Sequence, residues 1–292
     1  MDVAVLGCGY VGLELARQLD DHDVVGVRRS TAGLEAVRAT GAEAVEADVT
    51  DPEDLAAVPD VEAVVFAASS GGRGAEAARE VYVDGLRTAI DHFCGRADSP
   101  DRFVYTSSTG VYGDHDGAWV NEGTPIEPTT DKTEVLAEAE RLAIERPTGC
   151  DGTVARYAGL YGPDRYRLAR YVEGPVTEGY LNMVHRDDAA GAVRCLLTEG
   201  LARGEVVNVV DDEPVAKWSF ADWLAEQCGR DSPPKRTIED RLAAADLSET
   251  VRRRLQTSKR VANDKLRDPG YDFAFPTYRE GYRAAIDAYR GE

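Results

Sequence analysis

Gly7, Gly9 and Gly12 stand in a Gly-x-Gly-x-x-Gly spacing directly after the apolar run Val3 to Leu6. Beyond them Val11, Leu15 and Leu19 recur at helical intervals, so the glycines lie where a strand turns into a helix. Each glycine answers a separate physical demand. The first permits a tight turn, the second lets backbone approach a pyrophosphate, and the third lets helix and strand pack closely. The amides of Tyr10, Val11 and Gly12 then open the helix toward the phosphates. With its strand and helix in place, the spacing reads as a dinucleotide-binding turn.

The second strand-like run, Val24 to Val27, ends in Arg28-Arg29, with Ser30-Thr31 following. Sites for NAD or FAD usually carry an acid there, which binds the ribose hydroxyl. Two guanidiniums and a hydroxyl suit a 2′-phosphate through charge-assisted, bidentate bonds. NADP is therefore favoured over NAD, and FAD is disfavoured, although two solvated arginines offsetting nearby acids would leave the same letters. Asp48-Val49 is placed to read an adenine edge, or Asp48 simply precedes the helix cap at Asp51. Ala67, Ala68 and Ser69 end a further apolar run, where small residues let the chain lie against a ribose; close packing alone selects the same residues.

The elements that must hold these residues alternate. Val3 to Leu6, Val24 to Val27, Ala42 to Ala47, Ala63 to Ala68, Phe103 to Thr106 and Thr153 to Tyr157 read as short strands. Asp51-Pro52-Glu53 reads as an N-cap, a proline at N1 and an acid in the first turn. Tyr82, Leu86, Ala89, Ile90 and Phe93 form a helical stripe. Buried strands separated by helices predict an α/β fold, a Rossmann-type doubly wound parallel sheet. Beyond Gly162 prolines and glycines become frequent, with one strand at Val206 to Val210. Residues 1–160 are expected to form the NAD(P)-binding domain, and 161–292 a smaller α/β substrate lobe.

Charge narrows the partners. The 292 residues carry 34 Lys plus Arg against 53 Asp plus Glu, a formal net charge of -19. Such a surface repels a phosphate backbone and offers no basic membrane-binding face, which excludes nucleic acid and membrane and leaves a small-molecule substrate. Lysine is scarce: Lys132, Lys217, Lys235, Lys259 and Lys265 are the only five. High acidity with little lysine resembles halophilic usage, where screening makes self-repulsion tolerable. Cys8, Cys94, Cys150, Cys195 and Cys228 contain no CxxC pair and are odd in number. That argues against a disulfide framework or structural zinc site and for a reducing compartment. No apolar run reaches the roughly 18 residues that span a bilayer, and strand-like sequence begins at Val3, so a cytoplasmic location is expected. The helices bearing Leu86 and Leu136 are natural homodimer faces.

Tyr105-Thr106-Ser107-Ser108-Thr109-Gly110-Val111-Tyr112-Gly113 resembles the SSxxVYG segment of the extended short-chain dehydrogenase/reductase family, the NAD(P)-dependent sugar epimerases and dehydratases. Arg156 to Pro163 resembles the family's R-x-x-x-x-YGP stretch, and Met183 to Ala189 its VHxxDxA segment. Val207-Asn208-Val209 is similar to its YNV strand, and Phe275 to Gly281 to the end of an atypical, sugar-epimerase-like subgroup. These segments occur in family order along nearly the whole chain. The resemblance implies that Ser108 is the catalytic serine that hydrogen-bonds the substrate oxygen.

One family feature is missing. Members carry a Tyr-x-x-x-Lys pair on the next helix, because i and i+4 share a face. Here that stretch reads Thr130-Asp131-Lys132-Thr133-Glu134-Val135-Leu136, with Val135 or Leu136 at the lysine position. Tyr82 stands where extended members usually have an asparagine before a glycine. Acid/base candidates are then Tyr112, Tyr82 and Lys132, in that order; Tyr82 also fits plain core packing, and no His/Cys/Asp spacing suggests a metal. Two readings follow. The first is an NADP-preferring oxidoreductase or epimerase for a small polar or nucleotide-sugar-like substrate, and the second is a non-catalytic NAD(P)(H)-binding regulator. Ser108 and the YGP and VHxxD segments favour the enzyme.

Overall fold

The computed structural model describes residues 1–72, 74–243 and 246–291. From the N-terminus run β1 (Asp2–Leu6), α1 (Tyr10–Gln18), β2 (Asp23–Arg28), α2 (Thr31–Arg38), β3 (Glu43–Glu46), α3 (Pro52–Leu55) and β4 (Ala63–Phe66). Then come α4 (Ala75–Arg79), a π-helical turn at Glu80–Gly85, α5 (Leu86–Phe93), β5 (Arg102–Ser108) and α6 (Asp131–Glu145). The strands Asp151–Tyr157 and Val206–Val209 complete a seven-stranded sheet ordered Val206–Val209, Asp151–Tyr157, β5, β4, β1, β2, β3. Pairings from β3 through Asp151–Tyr157 are parallel, so the crossovers cover both faces and the central strands are apolar throughout. Every residue of β4 is buried. The predicted cap holds: the Asp51 carboxylate accepts from the Glu53 amide at 2.9 Å, with Pro52 opening α3.

The order of strands reverses direction at β1, with β2 on one side and β4 on the other. Loops leaving β1 and β4 therefore diverge, and a crevice opens at their carboxyl ends. The fold puts the glycine turn there.

Contacts divide the chain into two compact units, each drawn from three stretches. One holds Met1–Val111, Asp131–Tyr157 and Ala189–Val207; the other holds Tyr112–Thr130, Ala158–Asp188 and Asn208–Glu292. The chain thus crosses between units five times, where the sequence suggested one boundary near residue 160. The first unit's core is mostly aliphatic, around Leu6, Val27, Val64 and Leu86, with Phe66 and Phe103 among them. The second is aromatic: Tyr161 stacks on Tyr282 at 5.0 Å, and Phe220 meets Tyr278 and Tyr282 edge-on at 5.2 and 5.1 Å.

Two expectations are corrected. Cys94 and Cys150, 56 residues apart, form a disulfide, leaving Cys8, Cys195 and Cys228 free. Cys94 follows the last residue of α5 and Cys150 precedes a sheet strand, a proximity that no local spacing encodes. Leu86 and Leu136 are buried inside the chain's own first unit, so they are not the side chains that would face a second copy. No helix among the described residues is long and apolar enough to cross a membrane.

Candidate functional site

The crevice is a cavity of about 380 Å³ lined by the glycine turn and the ends of β2, β3 and β4. Gly7 has φ +78°, and a Cβ there would lie 2.2 Å from Ala68 Cα, so the turn after β1 presses on the chain leaving β4. Gly12 packs on β1, where a Cβ would stand 3.0 Å from Val5 Cγ1. Gly9 is the N-cap of α1 and supplies no side-chain bond to its first turn. A glycine turn leading into a helix N-terminus fits a pyrophosphate.

The arginines behave differently from each other. Arg28 folds back on the turn: its Nη1 donates to the Cys8 carbonyl at 3.2 Å and lies 3.0 Å from where a Gly9 Cβ would be. Arg29 is exposed and donates to Asp48 Oδ2 at 2.8 Å. Ser30 caps α2 by accepting from the Gly33 amide at 3.2 Å. Asp48 Oδ1 accepts the Thr50 amide and hydroxyl at 3.0 and 2.7 Å, and its own amide donates to Asp54. Burial pushes its carboxyl up, but the bonds from Arg29 and Thr50 outweigh that and hold it below the ordinary value. Asp48 therefore orients Arg29 while it and Val49 line the cavity. Val49, Ala68 and Ser69 line the cavity as expected; Tyr10, Val11 and Ala67 lie beside it on the same elements.

At the end of β5, Ser108 is half-buried and its Oγ accepts from the Gly110 amide at 3.1 Å. Behind it Ser107 donates to Glu140 of α6 at 2.6 Å, and Glu140 receives Arg156 at 2.7 to 3.1 Å. Glu140 and Arg156 are nearly inaccessible, so this buried ion pair clamps α6 and the strand Asp151–Tyr157 to β5. The first-ranked acid/base candidate fails. Tyr112 is fully buried in the second unit and donates to Asn208 Oδ1 at 2.9 Å, tying the VYG and YNV segments together. Val135 and Leu136 are buried apolar residues of α6. Tyr82 and Lys132 are brought together: the lysine Nζ lies 5.8 Å from the centre of the tyrosine ring.

In the second unit, His185 is buried among Tyr161, Tyr166 and Phe275. Asp188 accepts the Ala274 and Phe275 amides at 2.7 and 2.8 Å, so the VHxxD segment anchors the Phe275-Pro276 segment. Among the described residues, no group of three or more His, Cys, Asp or Glu is arranged to hold a metal ion.

Sequence reasoning missed two features. One is Glu140, whose only signal was an acid on the buried face of α6 between Leu136 and Ala143. The other is a cavity of about 650 Å³ in the second unit, lined by Arg167, Arg170, Arg236, Arg241, Arg254 and Lys217 with no acidic lining residue. Burial, with Arg254 and Arg170 beside it, pulls the Lys217 ammonium below its ordinary value. In a chain of net charge -19, this cavity concentrates positive charge, which Glu178 beside Lys217 opposes only in part. Its arginines are scattered over nearly ninety positions and have no spacing to read.

The profile of the NAD(P)H-binding family matches residues 7–199. Protein YeeZ of Escherichia coli (strain K12) is 32% identical over 250 residues, which cover 82% of this chain and 88% of YeeZ. Among solved structures, a Methylobacillus flagellatus protein assigned to the NAD-dependent epimerases/dehydratases is 29% identical, with a TM-score of 0.79 and coverage of 99% and 98%. Human epimerase family protein SDR39U1, solved with NADPH, reaches a TM-score of 0.79 over 100% of both chains at 17% identity, a likeness of fold.

Proposed function

The chain belongs to the NAD(P)H-binding family, among the extended short-chain dehydrogenases/reductases, and on that premise we propose that it is an NADP-preferring oxidoreductase or epimerase for a small substrate bearing an anionic group. The observation that carries this reading is the glycine cradle with Arg28 and Arg29 at the carboxyl end of β2, where an acid would favour NAD. Gly7, Gly9 and the α1 amides would hold the pyrophosphate, and Arg29, partnered by Asp48, would meet the 2′-phosphate. When bound, the nicotinamide supplies or accepts a hydride. Ser108, at the end of β5, orients the substrate oxygen by a hydrogen bond. Considered by itself, the cation-lined cavity of the second unit suits a phosphate or diphosphate group.

The test is binding first and turnover second. NADPH and NADH affinities are compared by fluorescence in wild type and in Arg29→Ala. We expect the variant to lose NADPH affinity at least about tenfold while NADH changes little; equal loss for both refutes the 2′-phosphate assignment. With NADPH saturating the glycine turn, pyrophosphate should further raise the melting temperature of wild type and not of Arg170→Ser/Arg254→Ser. UDP-glucose and dTDP-glucose are then assayed by nicotinamide absorbance and product analysis.

A second reading, a non-catalytic NADP(H)-binding regulator, is favoured by the apolar pair Val135 and Leu136 at the family lysine position. Tight NADPH binding without turnover across the substrates would select it over the enzyme.

A further inference from the structure

Tyr82 lies in the π-helical turn Glu80–Gly85 between α4 and α5. Such widened turns occur mostly as single-turn bulges and frequently at functional sites. Around the turn Val81, Val83 and Leu86 are buried, whereas Tyr82 is half-buried and packs against the same core. Its hydroxyl reaches the loop after β4, where the Ser70 amide donates to it at 3.3 Å. Ser69 and Gly71, on either side of that amide, both line the cofactor cavity, as does Val81. The phenol therefore stands at the rim of that cavity.

Lys132, from α6, lays its ammonium over the other side of the ring, 5.8 Å from its centre. The next residue, Thr133, is close to the serine. A Cβ on Gly110 would be 3.3 Å from Ser108 Oγ and 3.6 Å from Thr133 Cγ2. Cavity rim, phenol, ammonium and serine all belong to the first unit.

We propose that Tyr82 is the catalytic acid/base of this site and Lys132 the residue that positions and supports it, a pair assembled from two elements in place of one helix. The proposal rests on the oxidoreductase reading. In the reducing direction the substrate carbonyl carbon gains a hydride from reduced nicotinamide, and the C=O π pair moves onto the substrate oxygen. That oxygen takes the proton of the Tyr82 hydroxyl. The phenolate left behind accepts the Ser70 N–H and faces the Lys132 ammonium. A solvent proton restores the phenol, and oxidation runs the same bonds in reverse. Lys132 acts through Tyr82 and touches no reacting atom.

Other titratable groups near the pair come from two further elements. Tyr105 of β5 is buried and, with Glu140 beside it, its phenol is pushed well above the ordinary value. The Arg79–Glu138 ion pair joins α4 to α6 at 3.0 Å. The near-ultraviolet circular dichroism of the whole protein is recorded, and wild type minus Tyr82→Phe isolates the signal of one phenol. We expect that signal to be lost in Lys132→Met and to return in Lys132→Arg. An unchanged signal in Lys132→Met overturns the pair, whether or not a substrate has been found. With a nucleotide sugar that turns over, Tyr82→Phe should cut kcat at least about a hundredfold while NADPH affinity by fluorescence stays within about twofold. An unchanged kcat overturns the catalytic role. NADPH binding without turnover, with the Lys132-dependent signal intact, refutes the oxidoreductase reading and leaves the pair standing.

Discussion

Arg28 and Arg29 are neighbours in sequence and do different things in space. Arg28 braces the glycine turn through the Cys8 carbonyl, and Arg29 is aimed across the cavity by Asp48. Residue type and position announced a basic site at the end of β2, but the division of labour follows from side-chain directions that alternate along a strand. Glu140 shows the same limit more sharply. Its charge suggested solvent, yet it is buried with Arg156 and holds Ser107, the neighbour of Ser108. Removing one member of such a pair strands the other without water. Glu140→Ala should cost about 3–5 kcal/mol of stability, read from denaturant unfolding. Replacing both, as Glu140→Met/Arg156→Met, should recover part of that loss, and an equal or greater loss would mean the pair is not the source.

At the scale of elements, local pattern was a faithful guide where burial and hydrogen bonding agree with it. β1 to β5 and the strand Asp151–Tyr157 lie where apolar runs placed them, because a parallel strand covered on both faces must be apolar throughout. The stripe from Tyr82 to Phe93 was legible as a helix but its register was not. A π-helical turn precedes Leu86, Ala89, Ile90 and Phe93, which face inward, and Tyr82 within it is only half-buried against the same core. Pattern also missed the Cys94–Cys150 link between the end of α5 and the start of a sheet strand. Closing a loop of that length restricts the unfolded chain by about 4 kcal/mol in a chain-entropy account. Cys94→Ser should therefore lower the melting temperature under non-reducing conditions, and a reductant should lower wild type toward the variant. Equal melting temperatures with and without reductant would show that the link contributes nothing.

For the whole molecule, a net charge of -19 repels itself, and two cavities concentrate the opposite sign. We propose that the acidity is an adaptation to high salt. The Debye length falls from about 10 Å at 0.1 M to about 3 Å at 1 M, so repulsion between exposed carboxylates is screened first. The melting temperature should rise between 0.1 and 2 M potassium chloride, and substitution of exposed acids by glutamine should flatten that rise. A melting temperature that falls as salt is added would count against the idea, since screened surface ion pairs would then outweigh screened repulsion.

The sequence by itself determined the alternation of strand and helix, the place of the glycine turn, the basic end of β2 and the family to which the chain belongs. All of these rest on neighbours within a few residues, where backbone geometry and periodicity apply directly. Tertiary structure alone decided which acids are buried, which cysteines meet, and how Arg167 to Arg254 gather around one cavity. It also brought Lys132 over Tyr82, fifty positions apart, while Tyr112, beside the serine in sequence, was turned into the core. The difference is physical: spacing along the chain fixes direction only within an element, and the distance between elements is set by how their buried faces pack.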